Sequence, residues 1–164
     1  MSATTISNQP VSASPQRIWL AWAPTLLWLC VLALFSTDIF SAEHTARVLT
    51  KILDALFGGI SRHGFGVVHY LIRKTAHFMS YGLLSAFAFF SWRATLPASR
   101  RWSFRWFELA LLLTLLAASL DEFHQTFVSS RTGNFRDVVL DMTGALFFQL
   151  VLAFWLRRRK SAQV

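Results

Sequence analysis

The chain has 164 residues, enough for one domain, and 54% of them are apolar, with 16 Phe and 7 Trp. That is far more large hydrophobic surface than a water-soluble domain of this size carries. Its formal charge of +8 suggests a polyanionic partner, yet the apolar residues are gathered into runs that match the length of a bilayer span, about 18 or more residues. A nucleic-acid-binding domain is therefore not expected.

Residues 1–16, MSATTISNQPVSASPQ, are rich in Ser, Thr and Pro and are expected to be disordered, so the folded domain is placed at 17–164. The first span is expected at 18–36; its run from Ile18 to Phe35 is uncharged and contains Pro24, which a membrane helix tolerates as a kink. It is longer than a signal-peptide core, and Phe40 stands where a cleavage site wants a small residue, so a retained helix is expected. Cys30 is alone in this run, which excludes a disulfide framework.

Between the first two spans, ARVLTKILDALFGGI sets Val48, Leu49, Ile52, Leu56 and Ile60 at helical spacing, with Arg47, Lys51 and Asp54 elsewhere on the turn. The pattern predicts a short amphipathic helix lying on the outer leaflet or capping a bundle. Gly58, Gly59, Gly64 and Gly66 are expected to make the return to the second span flexible. That span is placed at 69–92, polar at its start and apolar later. The third is placed at 106–128, hydrocarbon until Asp121, and the fourth at 137–156, with Asp141 one turn inside its beginning. The fold class expected is thus all-α: a membrane-embedded bundle of four transmembrane helices with a short external helix between the first two.

Lys and Arg near a span resist translocation. Four spans put Arg17, Arg93, Arg100, Arg101, Arg105 and the tail RRRK at 157–160 on one side, against Glu108 alone, whereas bases and acids balance on the other. The termini are therefore expected in the cytoplasm of a bacterial inner membrane, with Trp19, Trp92, Trp102, Trp106 and Trp155 as an aromatic belt at that face. The basic tail reads as a topology anchor that touches anionic headgroups.

With this topology the remaining polar residues meet near the outer end. Arg73, Lys74, His77 and Tyr81 share a face of the second span at i,i+3 and i,i+4 spacing; Asp121, Glu122 and Gln125 do so on the third, and Asp137 and Asp141 on the fourth, where Gly144 and Ala145 permit close helix approach. At 1.5 Å per residue, His77, Glu122 and Asp141 fall within about 12 Å of their helix ends and can share one level. Arg73, Lys74 and Arg131 suit a phosphate or carboxylate; His77, Glu122 and Tyr81 can move protons. The four acids offer oxygen ligands for a hard cation, but no fixed metal-ligand spacing is present and neither metal nor cofactor is expected. His124 points away from the Asp121/Gln125 face. No Ser-His-Asp order, zinc motif or P-loop occurs.

RKTAHFMSYGLLSAF, followed after a basic loop by DEFHQTFVSSRTGNFRDVVLDMTGALF, resembles the VanZ-like family of small membrane proteins, named for a teicoplanin-resistance accessory protein. Lys74, His77, Phe78, Tyr81, Asp121, Glu122, Gln125, Phe127, Arg131, Asp137 and Gly144 match the family pattern, and Asp141 stands where the family usually has Asn. The resemblance covers about Leu71 to Phe148. It implies an inner-membrane protein linked in some members to lower glycopeptide susceptibility, and it brings no defined reaction with it. Residues and resemblance together leave four readings: a pocket that binds membrane lipid or a lipid-linked envelope precursor, an acid/base enzyme acting on such a lipid, an ion-pair network that locks helices, and a small transporter, which would need an oligomer. They leave the oligomeric state open.

Overall fold

A computed structural model of the chain describes residues 15–37, 42–58, 61–96, 102–128 and 133–158, and these form five helices with no strand among them. In chain order they are α1 (Pro15–Phe35), α2 (Ala42–Phe57), α3 (Arg62–Thr95), α4 (Phe104–Gln125) and α5 (Phe135–Arg158). Residues 1–14 lie outside the described residues, so the expectation of a disordered start extends beyond them; Pro15 and Gln16, placed in that segment from the sequence, are the first turn of α1.

The helix ends follow local chemistry. The Ser61 hydroxyl accepts the Gly64 N–H at 3.1 Å and caps α3, satisfying one of the free donors of a first turn. Because that cap lies upstream of the expected start at His69, α3 runs for 34 residues, about 51 Å, and Gly64 and Gly66 are helical residues of it rather than a flexible return. Gly58, at φ +70, ends α2. Asp137 in the first turn and Arg157 and Arg158 in the last complement the α5 dipole. The amphipathic helix expected in the long connection is present as α2 and makes slight contact with α3. Ile60 and the side chains of Val48 and Leu56 lie outside the described residues.

α3 is the central element. α1 runs antiparallel to it: Trp22 Nε1 donates to Thr95 Oγ1 at 2.8 Å, Thr25 and Ser91 hydroxyls meet at 2.8 Å, and Trp28 Nε1 donates to the Ser80 carbonyl at 2.9 Å. α4 is antiparallel on another side, with Tyr81 reaching Asp121 at one end and Trp106 Nε1 donating to the Leu96 carbonyl at the other. α5 runs parallel to α3, since Lys74, His77 and Ser85 meet Asp137, Asp141 and Gln149 in the same order. Apolar packing falls into two clusters, one around Tyr81, Leu84, Ala118 and Val138, the other around Phe89, Trp106, Ala110 and Leu156.

The second cluster corrects the aromatic belt. Trp19 and Trp155 are exposed, but Trp106 is 2% exposed, and Trp92 and Trp102 pack against its cluster. Trp106 stands edge-on to Phe89 at 5.8 Å, and the Arg157 guanidinium lies 4.3 Å over Trp102. An indole with a carbonyl partner and a ring neighbour is better buried than floated at an interface.

Polarity is distributed inside out. Thr25, Ser85, Ser91, Thr114, Asp141 and Gln149 are fully buried, whereas Leu20, Leu116, Phe123, Phe127 and Phe135 are each more than half exposed. A water-exposed surface of that kind is unfavourable, and a hydrocarbon-exposed one is what a bilayer requires. α1 and α5 are each long and apolar enough to cross a membrane. α4 is charged at both ends by Arg105, Glu108, Asp121 and Glu122, and α3 is diluted by His77, Ser80, Tyr81, Ser85 and Ser91, so neither meets that criterion.

Helix approach depends on Gly144. A Cβ there would collide with the Phe78 carbonyl oxygen and lie 2.9 Å from its carbon. Gly144→Val should therefore cost about 1–3 kcal/mol through overpacking, read as a lower unfolding midpoint in detergent. Gly66→Ala, which meets nothing within 4 Å, should leave the midpoint unchanged or slightly raised.

Candidate functional site

The parallel pairing of α3 with α5 and the hairpin of α4 with α5 bring polar residues of three helices to one end of the bundle. Lys74 Nζ is bonded to Asp137 Oδ1, with side chains 26% and 15% exposed, and it also lies 5.4 Å over the Tyr70 ring. Of the carboxylates at this end, the one that Lys74 meets is that of Asp137. Arg131 lies outside the described residues. Arg73 is partly buried on α3 and forms no ion pair among the described residues.

One turn deeper, His77 Nδ1 is 3.2 Å from Asp141 Oδ1, and the imidazole stacks on Tyr81 at 6.2 Å. The Tyr81 hydroxyl donates to Asp121 Oδ2 at 2.8 Å, and Gln125 Nε2 donates to the same oxygen at 3.1 Å. Asp121 and Gln125 thus behave as their i,i+4 spacing predicts. Tyr81 is committed as a donor to Asp121, so in this arrangement it positions the carboxylate.

Glu122 has a different partner. The backbone N–H of Asn134 donates to Oε2 at 2.7 Å. Asn134 just precedes α5, and its own Oδ1 accepts the Arg136 N–H at 3.0 Å, the work of an N-cap residue. Gly133 lets the chain fold onto the end of α4, where a Cβ would come within 2.7 Å of Thr126 Cγ2. Asn134 is a site residue that sequence reasoning passed over; an Asn just ahead of the apolar-periodic FRDVVLDM is the signal that could have found it. His124 sits off the cluster as its spacing predicts, exposed, with Nδ1 3.2 Å from the hydroxyl of Ser36, just past the end of α1.

Two atoms stand apart. Among the described residues, Glu122 Oε1 and Asp141 Oδ2 are buried without a hydrogen-bond partner, and their residues are 5% and 0% exposed. A buried carboxylate oxygen left unpaired costs about 1–3 kcal/mol or more. Acids also outnumber bases here, since Asp121, Glu122, Asp137 and Asp141 face Lys74 and, farther out, Arg73. The cluster is a polar recess with unmet acceptor capacity. An open groove of about 640 Å³ lined by Arg105, Glu108, Leu112, Leu115 and Met142 lies on another face and shares none of these groups.

If the Lys74–Asp137 contact is a true desolvated pair, removing one partner leaves the other uncompensated. Lys74→Met and Asp137→Asn should each destabilise the protein, and the double variant should cost less than the two single costs combined. A coupling of about 0.5–3 kcal/mol is expected in reversible unfolding in detergent, and additive losses would show the two groups to be independently solvated.

With the geometry established, relationship to known proteins can be stated. A family model described as VanZ/LLP1 matches residues 21–156, from the second turn of α1 to the last turn of α5, including every residue of the polar cluster. Searches of curated proteins and of solved structures returned no match. A match over so much of the chain means that this protein belongs to the VanZ/LLP1 family.

Proposed function

We propose that this VanZ-family member is held in the bacterial inner membrane by α1, α3, α4 and α5 as four spans of one domain, with both termini cytoplasmic. Its polar recess opens toward the outer leaflet and receives the anionic headgroup of a membrane lipid or a lipid-linked envelope precursor. Through that ligand it would influence glycopeptide susceptibility, as the family resemblance suggests. The inside-out polarity supports the embedding. The orientation is supported by the charge asymmetry, since Arg93, Arg105 and Arg157 lie at the end of the bundle opposite the carboxylates.

The observation that carries the binding reading is Lys74. It is the partly exposed cation of the recess, engaged by one carboxylate, and its three donors leave it free to hold a phosphate as well. A network that only locked helices together is expected to pair its acid oxygens, and among the described residues Glu122 Oε1 and Asp141 Oδ2 have no partner. One observation favours an acid/base enzyme as a second reading: the imidazole of His77 and the carboxyl groups of Glu122 and Asp141 offer ligand atoms within 4.8 Å of one another, close enough to pass a proton to or from one bound headgroup.

Purified in mild detergent, wild-type protein should carry endogenous anionic lipid detectable by mass spectrometry. The double variant Lys74→Met/Asp137→Asn, which removes both members of that pair, should lose most of it while staying folded, its midpoint lowered by less than the two single variants combined. Equal lipid in both proteins would remove Lys74 from recognition. An alkaline phosphatase fusion at Thr132 should be active and a C-terminal one inactive if the termini are cytoplasmic. Turnover of the retained lipid by wild type and not by Glu122→Gln would favour the enzyme over the receptor.

A further inference from the structure

We propose that His77, Glu122 and Asp141 form a binding site for a divalent transition-metal cation, of the Zn²⁺ or Mn²⁺ class. The inference rests on the reading of this recess as a binding pocket and supplies that pocket with its missing positive charge. The three residues come from α3, α4 and α5, and each offers one ligand atom, an imidazole nitrogen or a carboxylate oxygen, all within 4.8 Å of one another. Adjacent ligands of one ion bound at about 2.0–2.2 Å stand about 2.8–3.6 Å apart, so the widest pair closes by roughly 1–2 Å to complete the set. The 3.2 Å contact between His77 Nδ1 and Asp141 Oδ1 already falls within that span.

An independent observation points to the ion. Glu122 and Asp141 are almost wholly buried, and each keeps one oxygen without a partner. Among the described residues the printed bonds do not reach these two oxygens: Lys74 is bonded to Asp137, and the N–H to Glu122 goes to the other oxygen. Insertion scales put a charged carboxylate in the hydrocarbon region at about 2.5–3.5 kcal/mol, and two such groups side by side also repel. A divalent ion removes both penalties together. One nitrogen with two carboxylates is a borderline donor set that favours Zn²⁺, Mn²⁺ or Fe²⁺ over Mg²⁺ and Ca²⁺, which prefer oxygen alone. Three protein ligands leave a coordination position for water or for an anionic group of the pocket's ligand. The ion would then be the element that lets an acid-rich recess accept an anion.

The test uses full-length protein without a polyhistidine tag, in detergent, stripped with EDTA and delipidated. Titration with Zn²⁺, Mn²⁺ and Mg²⁺ should give one equivalent of Zn²⁺ or Mn²⁺ per chain and a rise in the unfolding midpoint with ion concentration; Mg²⁺ should bind more weakly. Co²⁺ should give a d–d absorption of low-symmetry coordination. His77→Gln, Glu122→Gln and Asp141→Asn should each weaken binding at least about tenfold, while His124→Ala should not. Where a ligand variant fails to fold, competition between Co²⁺ and Zn²⁺ on the wild type keeps the question decidable. No stoichiometric binding and no shift of the midpoint, or binding that survives all three substitutions, overturns the site. Because lipid is absent from this assay, metal binding can fail while lipid retention stands, and the reverse.

Discussion

Everything at the polar end depends on how closely α5 can lie along α3. The pair runs parallel, as it must with one antiparallel helix between them in the chain, and its contacts begin with Lys74 and Asp137, pass through His77 and Asp141, and continue to Ser85 and Gln149. Between the polar levels the backbone of Phe78 rests against Gly144. In a hydrocarbon solvent helices gain little from hiding apolar side chains, so close backbone approach and interhelical hydrogen bonds must hold them. Gly144 supplies the first and the paired polar residues the second. A side chain at position 144 would push α5 outward and lengthen every one of those contacts at once.

The same constraint explains why the molecule has two unlike ends. At one, Trp22, Trp92, Trp102 and Trp106 are packed with Arg93 and Arg157 near their rings, a firm plug of large aromatic bodies. At the other, carboxylates, an imidazole and an amide take the place of aromatic bulk; among the described residues two carboxylate oxygens are unmatched there, as are the Trp92 and Trp102 indole N–H groups at the aromatic end. Buried ionic groups are weak devices for stability, because apolar packing of similar volume does as well. The stability of the bundle can therefore reside in the aromatic end and the glycine contact, leaving the polar end free to serve recognition. That division is a physical reason to look for function at His77, Glu122 and Asp141 rather than at the groove between α4 and Met142 of α5.

Much of this was legible in the chain itself, for reasons of periodicity. Arg73 to Tyr81, Asp121 to Gln125 and Asp137 to Asp141 repeat at helical spacing, so their shared faces follow from geometry alone, and the short connections between the last three segments leave few ways to arrange them. What could not be read was rotation and pairing. Lys74 has several carboxylates within reach in sequence terms, and the choice of Asp137 depends on how deep α5 sits. The bond from the Asn134 backbone to Glu122 is invisible to side-chain patterning, because any residue there carries the donor. The burial of Trp106 depends on Phe89 and on the Leu96 carbonyl, both on a different helix or its end. The full length of α3 does not show in hydropathy, because Ser61 caps the helix well before the apolar region begins.

The absence of a metal motif in the sequence has a similar cause. Motifs of fixed spacing arise when two or more ligands sit on one turn or loop, as in a pair of residues at i,i+4. Here each helix contributes a single ligand, and the neighbours at i,i+4 are used otherwise: Tyr81 and Gln125 hold Asp121, and Asp137 holds Lys74. Those neighbours form an outer layer around the three inner groups. Such a layer orients ligands and excludes water at metal sites, and it performs the same service for a proton-sharing carboxyl pair. The two cases differ in what they demand of the unpaired oxygens. A shared proton needs Glu122 and Asp141 in direct hydrogen-bond contact with each other, and no such bond joins them among the described residues. A cation needs one oxygen from each carboxylate close to an imidazole nitrogen, and the three groups offer ligand atoms within 4.8 Å of one another.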